Sequence, residues 1–338
     1  MSERAGSAPP SAPAAVSEVD GEARTAGGDA TGQTAAAATA AAVSARPPAG
    51  SRLAPWLAAA RPRTLPAAVV PVVVGLALAM RTHELDAGVA VATLVAALLI
   101  QVGTNLANDY YDFVAGADTH ERLGPRRITQ AGLAAPATVR AAAFGVLAAA
   151  GIVGAYLVVV GGWPILVIGV ASLLAAVAYT AGPWPLAYHG LGDLFVFVFF
   201  GVVAVAGTVL LQTGAVGGLA IVLSLPVACL ATAILVVNNL RDIATDARAG
   251  KRTLAVRIGA AATRVEYVLL VAAPYVVVVV VAASEGAGLL LPLVTAPLAV
   301  REIRALVQRS SVALNVSLAG TARLHLLFGL LLAVGVLA

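Results

Sequence analysis

The residues best suited to chemistry sit in two short stretches of an otherwise apolar chain, NLANDYYDFVAGAD (105–118) and NNLRDIATD (238–246). Beyond residue 50 there are only twelve Asp and Glu; Asp109, Asp112, Asp118, Asp242 and Asp246 fall inside these stretches and Glu121 follows the first. Each stretch ends an apolar run of membrane-spanning length, where a carboxylate is expensive unless a cation meets it. Asn105 and Asp109, Asn108 and Asp112, and Asp242 and Asp246 are each spaced i, i+4. On a helix such pairs share a face, with Cβ atoms about 5–6 Å apart. Asp118 follows Gly116, where the helix is expected to have ended. Carboxylate and amide oxygens are hard ligands that suit Mg2+ better than zinc or copper, and Mg2+ commonly joins one or two carboxylates to substrate phosphate oxygens. Bases trail both stretches: Arg122, Arg126 and Arg127 after the first, Arg248, Lys251 and Arg252 after the second. They offer the point charges and forks that a polyanion needs. A lone Asp at a helix end is ordinarily a cap or a solvated charge. Two matched clusters, each followed by bases, point instead to a Mg2+-bridged diphosphate.

These clusters need elements to carry them. The chain is 60% hydrophobic and 11% charged over 338 residues, against roughly half and a quarter in soluble domains, so an all-α polytopic membrane bundle is expected. Apolar windows of about 20 residues fall near 65–81, 87–108, 137–160, 163–181, 191–212, 217–238, 265–284, 287–303 and 318–338, predicting about nine helices. Every Lys and Arg except Arg81 lies in the N-terminal region or in, or within a few residues of, the connections after the second, sixth and eighth windows. By the positive-inside rule this puts the N-terminus, and both clusters, on the cytoplasmic side. The clusters form a loose internal repeat, as in membrane proteins whose site is shared between two halves. Residues 1–50, rich in Ala, Gly, Pro, Ser and Thr, lack the apolar surface to offset ordering entropy and are read as a disordered extension of a membrane domain over 51–338. The single cysteine, Cys229, excludes an internal disulfide and a cysteine zinc site. The bases are topogenic or face the clusters, so no nucleic acid is expected as a partner.

Weaker candidates lie nearby. Arg61 and Arg63 (RPRTLP) stand at the mouth of the first window, either as positive-inside anchors or as contacts to an anionic substrate. Tyr179, His189 and Asp193 bracket a Pro/Gly-rich loop and would position or deprotonate an acceptor phenol, with Asp193 the likeliest orienting group; as structure they are interfacial and solvated residues. Gln101 and Thr104 precede the first cluster by a turn and are suited to joining helices by hydrogen bonds. Arg323 and His325 read as interfacial anchors.

NDYYDFVAGADTHERLGPRRITQAG together with NNLRDIATDARAGKRTLAVRIG resembles the paired signatures of the UbiA-type intramembrane aromatic prenyltransferases. The spacing from Asp112 to Asp118, the GPRR run and YTAGPWPLAYHGLGD (179–193) are most similar to the branch that acts on 1,4-dihydroxy-2-naphthoate in the menaquinone pathway. The likeness spans about residues 52–338. It implies a nine-helix bundle around a central cavity open to the cytoplasm, in a bacterial plasma membrane, with two Mg2+ holding the diphosphate of a polyprenyl donor. By matching positions, Asn108, Asp112 and Asp118 would be first-motif ligands and Asn239, Asp242 and Asp246 second-motif ligands. Asp109 would be a ligand or an orienting group, and Arg126, Arg127, Lys251 and Arg252 would hold the diphosphate. The implied reaction ionises the allylic C–O bond and joins the prenyl cation to the ring of dihydroxynaphthoate, giving demethylmenaquinone with loss of CO2 and diphosphate.

Two rivals follow from the same residues. One is a prenyltransferase with another acceptor, such as hydroxybenzoate or homogentisate. The other is an ion-coupled transporter, which predicts acids near mid-helix rather than at helix ends.

Overall fold

The computed structural model describes residues 53–118 and 123–338; the extension expected over 1–50 lies outside them, as do Glu121 and Arg122. All regular structure among the described residues is helical. α1 (Ala54–Ala59) and α2 (Pro66–Met80) are joined through a short 3-10 turn and bent by 52°. The break is local: Arg61 takes φ 52 immediately before Pro62.

α3 (Ala87–Val114) and α7 (Gly218–Arg248) carry the two acidic clusters at their C-terminal ends. With 28 and 31 residues at 1.5 Å each they are about 42–46 Å long, whereas the hydrocarbon core takes only about 30 Å. The last two to three turns of both helices are thus surplus to the crossing, and those turns hold the Asn and Asp residues. The opposite end of α3 is fixed by Asp86, whose side chain accepts from Val89 N at 3.0 Å. Gln212 clasps the Asp86 backbone with bonds of 2.9 and 3.1 Å.

α4 (Pro136–Ala178) is a helix of 43 residues that folds at Gly162 (φ 68, ψ −159) into two arms, matching the third and fourth apolar windows. α5 (Gly192–Phe197), a π-helical segment (Val198–Val203) and α6 (Ala204–Thr213) together make one crossing. In the widened turn, a Cβ on Gly201 would run into the backbone of Ala228 on α7, so the two helices meet at a contact only glycine permits. α8 (Leu254–Glu285) breaks at Gly259 and is followed by a 3-10 stretch (Ala287–Thr295), α9 (Ala296–Gln308) and α10 (Leu314–Leu337).

Six of these helices are long and apolar enough to cross a membrane, or seven with the bent α1–α2 pair. Each of the nine apolar windows meets a helical segment, but the eighth does not form one continuous α-helix. It is split between the 3-10 stretch and the 13-residue α9, about 20 Å long, which carries Arg301, Glu302 and Arg304.

α7 is the central post: 72% of its apolar window is buried, against 11% for α4. Leu223, Val227, Leu230, Val236 and Val237 of α7 pack with Val70 and Val74 of α2, Tyr267 and Val271 of α8, and Leu324, Phe328 and Leu332 of α10. A membrane interior gives helices no hydrophobic reason to associate, so close packing of this kind is what holds α7 in place. The second cluster therefore sits on the most firmly embedded helix of the bundle.

Candidate active site

A cavity of about 730 Å3 runs between the helices. One end is polar, lined by Arg61, Asn105, Asn108, Asp112, Arg127, Tyr179, Asn239 and Lys251; the rest is apolar, walled by residues such as Ala96, Ala150, Leu157, Ile165, Val203 and Leu211. Residues of both clusters open onto the same polar mouth. The i, i+4 spacing does what it predicts, since Asn105, Asn108, Asp109 and Asp112 are all buried on one face of α3.

The helix C-terminus carries partial negative charge, which disfavours carboxylates there. Cations from other elements compensate. Arg127 Nη2 donates to Asp112 Oδ2 at 2.7 Å, its Nε lies 3.1 Å from Asp118 Oδ2, and its Nη1 donates to the carbonyl oxygen of Asn108. Burial alone would lower the pKa of this guanidinium, but the charges of Asp112, Asp118 and Asp109 outweigh it and raise it. Lys251 Nζ lies 3.6 Å from the same Asp112 oxygen. Gly116 takes φ 70 just past the end of α3, a backbone conformation that favours glycine even though a Cβ there would meet open space, and the chain turns there to present Asp118 to Arg127.

Two groups that spacing had not singled out complete this shell. Tyr188 donates its hydroxyl to Asp112 Oδ1 at 2.9 Å and lies under Lys251 Nζ, 5.3 Å from the ring centroid. Burial, then the charge of Asp112, raises the Tyr188 pKa, so the phenol stays protonated and donates. Thr180 donates to Asn108 Oδ1 at 2.8 Å. Both come from the Pro/Gly-rich connection between α4 and α5, which offers no periodicity to read.

Asp109 has a different partner set from Asp112. Its two oxygens accept from the backbone N–H of Ile128 and Thr129, each at 3.1 Å, so it pins the turn that delivers Arg127. Asn105 likewise donates to the Ala60 carbonyl at 3.1 Å and ties α3 to the α1 end.

On α7, Asn239 lines the cavity. Asp242 is buried and held by its neighbour Arg241 through a two-point fork, Nε to Oδ1 at 2.8 Å and Nη2 to Oδ2 at 2.5 Å. Asp246 is half-buried, and its backbone carbonyl accepts from Lys251 N at 2.8 Å. Lys251 therefore spans both clusters, with its backbone on the second and its ammonium on the first.

Arg126 and Arg63 are exposed at the rim and line the cavity. Arg252 is exposed and does not line it; its backbone N–H donates to the Tyr188 carbonyl at 3.1 Å, which fixes the loop above the site. Tyr179 lines the cavity, and burial, then the charge of Asp193, raises its pKa. Asp193 itself is buried outside the cavity lining, with Oδ2 lacking a hydrogen-bond partner. His189 stacks on Trp184 at 4.2 Å and bonds Pro185, a loop staple away from the mouth.

No group of three or more His, Cys, Asp or Glu among the described residues converges to hold an ion unaided. The donors at the mouth nonetheless suit a hard cation: oxygens of Asn108, Asp112 and Asn239 line it with no thiolate or imidazole, whereas Asp118, Asp242 and Asp246 of the expected ligand set do not line the cavity. Arg127, buried between two of the carboxylates, occupies the ground where positive charge is required. An incomplete shell is what Mg2+ completes with waters and substrate phosphate oxygens.

Residues 68–337 match the UbiA prenyltransferase family. A 1,4-dihydroxy-2-naphthoate octaprenyltransferase of Mycobacterium leprae is 41% identical over 250 residues, 74% of this chain and 84% of the relative. A protein of the same description from Bacillus subtilis is 34% identical over 281 residues, 82% of this chain and 90% of the relative. Among solved structures, a UbiA homolog from Archaeoglobus fulgidus bound to GPP and Mg2+ superposes with a TM-score of 0.57 at 15% identity, covering 83% of this chain and 100% of the other, a likeness of fold. With the family's extent matched across both clusters and the helices between them, this chain belongs to the UbiA prenyltransferase family.

Proposed function

We propose that this chain transfers a polyprenyl group from polyprenyl diphosphate to 1,4-dihydroxy-2-naphthoate, releasing diphosphate and CO2. The observation that carries this is the two-part cavity of about 730 Å3, in which an acid-and-base mouth opens directly onto an apolar chamber. That combination suits a molecule with a polyanionic head and a hydrocarbon tail. The acceptor is taken from the relatives' descriptions.

Asp112, Asp118, Asn108, Asn239, Asp242 and Asp246 would hold Mg2+, two ions in our reading. Bound there, Mg2+ would neutralise charge on the departing diphosphate, so that the allylic C–O bond breaks heterolytically. Lys251, Arg127 and Arg126 bind diphosphate oxygens, and Lys251 reaches the head group while its backbone stays fixed to Asp246. Tyr188 and Thr180 hold Asp112 and Asn108 in their rotamers, so the ligand oxygens are oriented in advance. The apolar wall excludes water from the allylic cation. The electron-rich ring attacks the cation, a C–C bond forms, and loss of the ring carboxyl as CO2 restores aromaticity. The immediate product is the reduced form of demethylmenaquinone. Arg63 and Arg61, which line the cavity, would meet the acceptor carboxylate, and Tyr179, which also lines it, would position the acceptor with Asp193 beside it; Arg252 would act through the Tyr188 loop that it holds.

Residues 51–338 constitute the catalytic unit in this reading, seated in a bacterial plasma membrane with the N-terminus cytoplasmic; deletion of 1–50 should leave turnover intact. The deciding assay supplies polyprenyl diphosphate, dihydroxynaphthoate and Mg2+ to the purified protein. Prenylated naphthoquinol formed with Mg2+ and lost with EDTA is expected. Turnover on hydroxybenzoate or homogentisate in place of the naphthoate would overturn the acceptor while keeping the prenyl transfer.

A further inference from the structure

Arg241 is 4% exposed and makes more side-chain contacts than its fork to Asp242 requires. Its Nη2 also donates to Asn238 Oδ1 at 2.8 Å, and its Nη1 donates to Asn315 Oδ1 at 2.7 Å. Asn315 lies in the first turn of α10, and its Nδ2 donates onward to the carbonyl oxygen of Leu123 at 2.9 Å. Gly124 is pressed against the same guanidinium; a Cβ there would come within 2.8 Å of Nη2. Two residues further on, the chain reaches Arg126 and Arg127, and Arg127 closes on Asp112 and Asp118.

These contacts form a continuous polar path. It starts at the second cluster on α7, crosses Asn315 on α10, enters the loop at Leu123 and ends at the first cluster on α3. We propose that Arg241 and Asn315 are positioning residues that strap the 123–127 loop across the mouth and so set where Arg127 stands relative to the second cluster. Neither side chain is placed by any spacing rule, since they lie 74 residues apart on different helices. Arginine is the residue the junction requires: a planar fork can serve Asp242, Asn238 and Asn315 together, whereas a lysine ammonium serves them only as a point charge. Asn315 is equally specific, because one amide must accept from Arg241 and donate to Leu123 at once. The reading of Arg127 as a diphosphate contact rests on the proposed function; the strap itself does not.

Asn315→Asp separates the two halves of the junction. It retains an acceptor for Arg241 and removes the donor to Leu123, leaving two oxygens face to face. In full-length protein in detergent or nanodiscs, amide exchange of residues 123–131 should accelerate about tenfold, the loss of one buried hydrogen bond, while α7 and α10 stay protected. The apparent KM for polyprenyl diphosphate should rise severalfold with the naphthoate KM unchanged. Wild-type exchange over 123–131 would overturn the strap. Faster exchange with an unaltered donor KM would overturn its link to donor binding. If Asn315→Asp does not accumulate folded, Asn315→Ala is judged by the same two measurements. Because the exchange readout needs no substrate, failure of the strap is distinguishable from failure of the assigned acceptor.

Discussion

The two acidic clusters look like copies in sequence and are held by opposite means. On α3, charge compensation is imported: Arg127 arrives from a loop 15 residues on, Lys251 from beyond α7, and Tyr188 from the α4–α5 connection. On α7, Asp242 is gripped by the residue next to it, and the helix beneath is the most buried in the bundle. The second cluster is therefore organised as soon as α7 is packed. The first is organised only once three separate segments close over it. A fixed half and an assembled half give a site whose geometry depends on loop closure, so donor binding and chemistry should be most fragile on the assembled side.

The largest effect expected is from Asp112→Ala. Asp112 is the meeting point of Arg127, Lys251 and Tyr188, so its removal deletes a proposed ligand, takes the carboxylate from Lys251 and leaves Arg127 facing Asp118. Turnover should fall by at least about 100-fold, the scale set by loss of one preorganised charge-stabilising group, with membrane insertion unchanged. Asp246→Ala should cost a similar factor through loss of a proposed metal ligand. Equal activity of Asp112→Ala and wild type would remove the metal assignment on α3.

Arg127 tests the assembled half next. Arg127→Ala breaks buried ion pairs with Asp112 and Asp118, whose side chains are 2% and 1% exposed. Losing this shared counter-charge should cost at most the about 3–5 kcal/mol of a broken buried ion pair, less whatever Lys251 and Tyr188 still supply to Asp112, readable as a lowered midpoint of thermal unfolding in detergent. Arg127→Lys retains the charge but cannot bridge both carboxylates and the Asn108 carbonyl. It should recover much of the stability and little of the donor affinity. Full recovery of both would mean that charge alone, rather than the fork, is required there.

Lys251→Ala is a smaller perturbation, because Lys251 is less buried than Arg127 and its contact to Asp112 is 3.6 Å long. The donor KM should rise about tenfold, the scale of one charge-assisted hydrogen bond, and exceed any change in the naphthoate KM. An unaltered donor KM would reassign Lys251 to setting membrane orientation.

How much of this could be read from the sequence follows the same division. The carboxylates were legible because a period of four on an apolar helix is a strong signal; Arg127 and Lys251 were legible only as bases trailing acids, a pattern that the positive-inside rule also produces. The spans were legible from hydropathy, except where the eighth window breaks into 3-10 and α-helical pieces. Asp109 illustrates a limit: it shares the face of Asp112, yet its oxygens are taken by backbone N–H groups of a turn that no spacing foretells. Asp193 is another, since a buried carboxylate behind Tyr179 and one facing the cavity have the same sequence signature. Tyr188, Thr180, Arg241 and Asn315 carry no local sequence signal for one reason. Each acts across a tertiary contact 72 or more residues away or through a partner that is itself in a loop.

Tyr188→Phe makes the finest distinction between the halves. It deletes one hydroxyl, whose hydrogen bond goes to Asp112 on α3, and leaves the ring under Lys251. If the first cluster is assembled by imported groups, losing one donor to Asp112 should cost about two- to tenfold in kcat, from roughly 0.5–1.5 kcal/mol for a single hydrogen bond. The ring–cation contact survives, so the donor KM should barely move. Tyr188→Leu removes that contact as well and should add a rise in donor KM. A Phe variant that raises the donor KM while sparing kcat would place the hydroxyl on the substrate rather than on Asp112. The α4–α5 loop would then be part of the binding surface and not a prop for the carboxylate beneath it.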